Sequence, residues 1–349
     1  AGGGRNAKSA YFETLVPVLE NLELNFAGRF DKYSDYGSDF SPKASLRYEP
    51  VDGLVLRASF GKGFRAPTLD ILTQQPSPGN PTVTDRVLCQ FQNVTTCPSG
   101  QVRATTISNP ALKSEQSEQM ALGLAYQPTD WLSFAIDYYD IEIEDAITLI
   151  GLQTLINREL AGDPFPAGLG ITRDPVSRAI LDATTGYANQ GSESTNGIDV
   201  NVEMNFDFGS IGRTNHSFQF GRVFDYSLNG GRNLVKDPGT PQQRATLSNT
   251  YSIDNLDFTW NMNYIGKQYD FVGLEAGVLV KEGNIASWVT HDIQIRYTLG
   301  WDADIVVGAQ NVFEKYPQLN TGAADGRGYD YTLYDGTGRN TYVRYTQRF

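Results

Sequence analysis

At 349 residues, the chain is long enough for two ordinary domains or one large barrel. Its net charge of -12 and isoelectric point near 4.7 argue against a nucleic-acid or anionic-surface partner. Mean hydropathy is negative and no run approaches the ~18 consecutive apolar residues of a transmembrane helix. A membrane barrel escapes that test, because only alternate strand residues face lipid.

Thirteen stretches alternate apolar and polar side chains: 9–16, 19–34, 40–50, 54–65, 115–127, 131–146, 187–207, 215–228, 241–252, 256–268, 287–298, 303–312 and 339–349. Early in the chain, Leu22, Leu24, Phe26 and Phe30 oppose Glu23, Asn25 and Arg29, and Leu54, Leu56, Ala58 and Phe60 oppose Arg57 and Ser59. Midway, Ile198, Val200, Val202, Met204 and Phe206 oppose Asp199, Asn201, Glu203 and Asn205. Later, Phe258, Trp260, Met262 and Tyr264 oppose Thr259, Asn261 and Asn263. Strand side chains point to opposite faces with period two, so each stretch separates an apolar medium from a wet one. A soluble antiparallel sheet does the same with a protein core on one side. Many of these stretches exceed the ~5–6 residues usual in soluble sheets and match the ~9–11 that cross a bilayer at a tilt.

The connections discriminate. Pro17-Val18-Leu19, Val51-Asp52-Gly53, Pro128-Thr129-Asp130 and Ile253-Asp254-Asn255 read as tight turns, with 208–214 and 299–302 only slightly longer. Between them lie long connections near 66–114, 147–186, 229–240, 269–286 and 313–338, with 35–39 brief. Short on one rim and long on the other is the layout of a transmembrane barrel, with periplasmic turns and extracellular loops. Tyr48, Tyr126, Trp131, Phe206, Phe208, Tyr251, Tyr297 and Trp301 gather near the short-turn ends, as an aromatic girdle does. The expected fold class is therefore all-β, a transmembrane antiparallel β-barrel.

Chemistry-bearing constellations are few. Cys89 and Cys97 lie in one long loop, and in an oxidising exterior they are expected to form a disulfide that stiffens it. Asp325, Asp330 and Asp335 sit among glycines, where turn chemistry competes with calcium ligation. His216 and His291 have no evident nucleophile partner, and no phosphate-cradling motif appears. Nothing points to catalysis, a metal site or a cofactor. Leu152, Leu155, Ile156 and Leu160 at helical spacing, stopped by Gly162, predict a short loop helix over 151–162. Loop aromatics Tyr269, Phe271, Trp288, Tyr329, Tyr331 and Tyr334 are the candidate ligand contacts, with loop-to-loop packing as their other reading. Arg29, Arg57 and Arg65 face the lumen, available to an anionic cargo or to carboxylates.

Phe60-Gly61-Lys62-Gly63-Phe64-Arg65-Ala66-Pro67-Thr68-Leu69 resembles a strand-to-loop signature of TonB-dependent outer-membrane receptors. Lys113–Gln119 with Ala121–Leu124, Asp137–Ile147, Gly308–Pro317 and the ending Tyr342–Phe349 are similar to successive parts of the same barrel. Val343, Tyr345 and the terminal Phe349 also resemble the signal read by barrel-assembly machinery. The resemblance implies the C-terminal portion, over residues 1–349, of a barrel of about 22 strands. It also implies an N-terminal plug domain and further strands on a separate or missing segment, and a TonB complex reached through that segment. Outer-membrane lipid and a small scarce nutrient (siderophore, vitamin, saccharide or peptide) are the other implied partners, in a Gram-negative cell. A passive porin-like channel and a surface receptor or adhesin without transport are the alternatives. The opening Ala-Gly-Gly-Gly-Arg-Asn reads as flexible loop, so the expectation is a chain that starts outside the cell and ends in the periplasm.

Overall fold

The computed structural model describes residues 3–275, 278–319 and 328–348. Among them, thirteen wall strands follow one another around a single antiparallel meander. They are β1 (Ala7–Leu19), β2 (Leu22–Tyr33), β3 (Ser38–Val51), β4 (Leu54–Arg65), β5 (Glu115–Thr129), β6 (Leu132–Ile150) and β7 (Ile180–Asp207), then β8 (Arg213–Leu228), β9 (Gln243–Ile253), β10 (Leu256–Ile265), β11 (Trp288–Leu299), β12 (Ala303–Gln310) and β13 (Asn340–Gln347). Every wall strand pairs with its neighbours in sequence, and among the described residues β1 and β13 each have a neighbour on one side only.

Register turns the alternation of each strand into continuous rows. Leu22, Tyr48, Leu56, Leu124, Ile136, Val200, Phe220, Ala245, Tyr264 and Val289 are successive cross-strand partners from β2 to β11. One residue away, on the opposite face, run Glu23, Arg47, Arg57, Gly123, Asp137, Asp199, Gly221 and Arg244. The first row is an outer, apolar surface; the second lines the concave side. Large apolar side chains such as Leu122, Phe258, Ile295, Val307 and Val343 are exposed on the outer face. In water such a surface would be costly; against lipid it is matched.

The tight turns occupy one rim. Gly53 and Asp254 adopt positive φ in two of them, which glycine tolerates at no steric cost and aspartate more readily than most residues. One turn differs from the sequence reading: Pro17-Val18-Leu19 belongs to β1, and the reversal falls at Glu20-Asn21. Pro17 is accommodated because β1 has no second neighbour and a register shift follows it. Near this rim Trp131 stacks on Phe206 at 5.1 Å, and Phe206 on Phe208 at 6.2 Å. Val343 and Tyr345 are exposed on β13, while Phe349 lies outside the described residues.

The arginines expected to face the lumen find their carboxylates within the wall. Arg29 pairs with Asp31 at 2.8 Å, Arg65 with Glu115, and Arg57 with Asp137 at 2.6 Å. The last pair spans β5. Arg57 and Asp137 meet above Gly123, where a Cβ would stand 2.2 Å from the Asp137 Oδ1 and 2.5 Å from the Arg57 Nε. Glycine is what lets two side chains from non-adjacent strands close over the strand between them.

The two faces predict opposite responses to charge. Val200→Arg, on the outer row, is expected to destabilise the wall by about 2–4 kcal/mol in a bilayer. Asn201→Arg, one residue away on the concave face, should change it by under ~1 kcal/mol. Denaturant unfolding of both variants in lipid vesicles checks this; equal losses would contradict the assignment of faces.

Candidate ligand-binding mouth

The rim opposite the tight turns is built from five long connections, and they pack into two assemblies. In the first, residues 66–114 and 151–179 interlock. The helix predicted over 151–162 is present as α3 (Leu152–Ala161), ended by Gly162 at φ +79. Its apolar stripe is consumed by loop packing. Leu152 and Ile156 bury against Val83, Ala104 and Ala183, while Leu155 buries against Ile150 and Ala188. The strand segment Ala104–Ile107 adds in parallel to Thr184–Gly186 of β7. Both β6 and β7 therefore run further than their alternation suggested, and the connection between them shortens from 147–186 to 151–179.

A buried ion network ties these two connections together. Arg173, with only 5% of its side chain exposed, reaches Asp85 at 2.8 Å and Glu159 at 2.9 Å. Burial alone disfavours its charge, yet hydrogen bonds and attraction from the two carboxylates hold its pKa above the ordinary guanidinium value. Asp85 also caps the helix Arg86–Phe91 by accepting from the Leu88 N–H at 3.2 Å. The Cys89–Cys97 disulfide is formed beside it, with Cα atoms 5.7 Å apart. Residues from both loops thus converge on one cation, which the sequence reading missed because neither period nor spacing links Asp85 to Arg173.

The second assembly joins the connections 229–242, 266–287 and 311–339, and it holds the six candidate contact aromatics. Trp288 and Tyr334 are buried, 5.4 Å apart, with Ile285 between the loops and Tyr329, Leu333 and Ile265 packed against them. The buried Gln268 amide donates to the Tyr334 hydroxyl at 2.6 Å, and burial raises the pKa of that phenol. Tyr269 is half-buried, with Lys281 5.0 Å above its ring and its N–H donating to the Lys236 carbonyl. Phe271 and Tyr331 are the exposed members, at 39% and 52%. The six therefore divide into a packed core and an exposed pair.

The remaining sequence candidates have local partners. Asp330 and Asp335 accept from the Thr332 and Thr337 N–H groups, which is turn chemistry; Asp325 lies outside the described residues. His216 bonds Asn249 at 2.7 Å, and His291 stacks on Trp260 at 5.8 Å. Among the described residues no group of three or more His, Cys, Asp or Glu is arranged to hold a metal ion.

A long-stranded wall, apolar outside and polar inside, with turns on one rim and packed loops on the other, defines a transmembrane β-barrel of the receptor type. The family model described as TonB dependent receptor-like, beta-barrel, matches residues 1–312, and the chain belongs to that family. It is 24% identical, over 88% of its length, to the probable TonB-dependent siderophore receptor PirA of Acinetobacter baumannii, of which it covers 39%. An iron-regulated outer membrane virulence protein of Vibrio cholerae is likewise 24% identical over 88% of the chain, with 40% of the relative covered. The crystal structure of the A. baumannii siderophore receptor PirA superposes with a TM-score of 0.70 at 18% identity, over 98% of this chain and 45% of that one. A variant of the ferric enterobactin receptor of Pseudomonas aeruginosa gives 0.70 at 17%, over 99% and 45%. These structures share the fold, and the chain spans under half the length of the relatives it matches.

Removing the shared cation tests the first assembly. Arg173→Ala leaves Asp85 and Glu159 close together without compensation, and breaking a buried pair in this way costs about 3–5 kcal/mol. Amide hydrogen exchange is expected to rise in both 85–97 and 152–161 while the wall strands stay protected. Exchange confined to one connection would show that the two loops are not coupled.

Proposed function

We propose that this chain forms wall and loops of a TonB-dependent receptor in the outer membrane of a Gram-negative bacterium, taking up a ferric siderophore. In this reading the tight turns and the C-terminus face the periplasm and the long connections face outward. The observation that carries it is the joint one: family membership together with a rim of five long connections packed into preformed assemblies above a polar concave face. Relatives described as siderophore or iron-regulated receptors support iron as the cargo's metal. The plug, the strands that would complete the wall, and the contact with the energising TonB complex are proposed to belong to the rest of the receptor.

The loops bind and the wall guides. Exposed aromatics on a rigid loop platform present area at low entropic cost, since ordering was completed when the loops packed. Phe271 and Tyr331 are proposed to touch the ligand, while Trp288, Tyr329 and Tyr334 hold the platform on which they stand. Energy coupling then opens a path past the plug and along the concave face. Lumen arginines already paired in the wall would shape that path without binding a passing anion strongly.

Deletion of the gene is expected to abolish uptake of at least one radio-iron-loaded siderophore from a panel under iron limitation. In a strain lacking TonB, uptake should be lost while surface binding persists. Uptake that survives loss of TonB would point to a passive channel, and binding without any uptake to an adhesin. Within the loops, Tyr331→Ala and Phe271→Ala should each weaken binding about 5–30-fold, the range of a 1–2 kcal/mol contact, with wall stability unchanged. Trp288→Ala should instead loosen the second loop assembly, read as faster hydrogen exchange across 266–287 and 328–339.

A further inference from the structure

The concave row carries the same set of residues twice, reflected about the seam between β6 and β7: Arg57, Gly123, Asp137, then Asp199, Gly221, Arg244. The first half is closed, because the Arg57 guanidinium donates through Nε and Nη2 to Asp137 above Gly123. In the second half Asp199 leans over Gly221, whose added Cβ would stand 3.0 Å from the Asp199 Oδ1. Arg244 does not close on it. Among the described residues neither Asp199 nor Arg244 has an ion-pair partner. A cavity of about 330 Å³ occupies the space instead, walled by Tyr139 and Tyr226 from the strands and by Val235 and Pro241 from the 229–242 connection. That volume is well above the ~10–15 Å³ one water needs and falls in the ~300–1,000 Å³ range of small-molecule sites.

We infer that this cavity is a binding subsite for an aromatic acid that carries a hydroxyl, either alone or as part of a larger cargo. The inference rests on the receptor reading above, since the cavity opens on the concave face. Its chemistry follows from the three kinds of wall. A guanidinium without a carboxylate is a fork for an anionic carboxylate. An ionised Asp199 only accepts, so the group facing it must donate, which a phenolic hydroxyl does and a second carboxylate does not. Between the charges, two tyrosine rings, a valine and a proline suit a planar apolar body. The ligand would complete the second half as Asp137 and Arg57 complete the first.

The probe is 4-hydroxybenzoate, titrated calorimetrically into the whole receptor purified from outer membranes in detergent. Benzoate, lacking the donor, and 4-methylphenol, lacking the anion, are the comparisons. Saturable binding of 4-hydroxybenzoate is expected, tighter than either comparison. Arg244→Gln should weaken it at least tenfold, with partial recovery in Arg244→Lys, and Asp199→Ala should make benzoate and 4-hydroxybenzoate indistinguishable. Val235→Trp, a loop change that fills the cavity without touching either charge, should abolish binding while the barrel keeps its heat-modifiable migration on gels. No saturable binding in the unaltered receptor, or equal affinity in Arg244→Gln, overturns the subsite even where siderophore uptake persists. Binding of the acid with no siderophore uptake overturns the receptor reading alone.

Discussion

A backbone amide inside hydrocarbon has no water to bond, and each unsatisfied group costs several kcal/mol. The rest of this structure depends on that constraint. It forces long strands to pair along their length with both neighbours, which the uninterrupted meander from β1 to β13 does. Pairing in turn aligns the period-two alternation of each strand into rows. Ile136 continues Leu124 and Val200, and Asp137 continues Gly123 and Asp199. An apolar outer surface and a polar concave one are consequences of pairing, not separate designs.

The concave face then has to manage its charges. Cross-strand ion pairs do so: Arg57 with Asp137, Arg296 with Asp257, and Arg348 with Asp304. These pairs are partly exposed, and each contributes at most about 1 kcal/mol. Their effect is on specificity of arrangement. They neutralise the path locally, so that the unmatched Asp199 and Arg244 stand out as the place where the wall leaves charge for something else.

The loops follow different physics. Outside the membrane region water can satisfy the backbone, so connections are free to be long, and they gain order only by burying apolar surface of their own. Here that burial is extensive. Leu155 and Ile156 are fully buried, and Arg173 is enclosed by carboxylates from two connections. The disulfide, the short helix and the coupled pair of loops make one rigid assembly; Gln268, Trp288 and Tyr334 make a second. A stiff mouth presents its exposed aromatics without paying for their ordering at each binding event.

Local pattern was enough for much of this. Alternation located all thirteen strands, glycine and aspartate marked the turns, the i, i+3, i+4 apolar spacing with Gly162 marked α3, and two cysteines in one exposed loop marked their bond. All of these are set by residues within a few positions of one another. The turn misplaced at Pro17 shows the limit, since only the absence of a second neighbour on β1 makes proline acceptable there. Tertiary structure alone decided the rest. Whether Trp288 or Tyr331 faces ligand depends on which loop folds over which, and sequence periodicity stops where strands stop. That Arg57 meets Asp137, that Arg173 meets Asp85, and that Asp199 and Arg244 share a cavity are facts of register and packing between residues tens of positions apart. Such pairings exist only after the wall has closed each strand against the next.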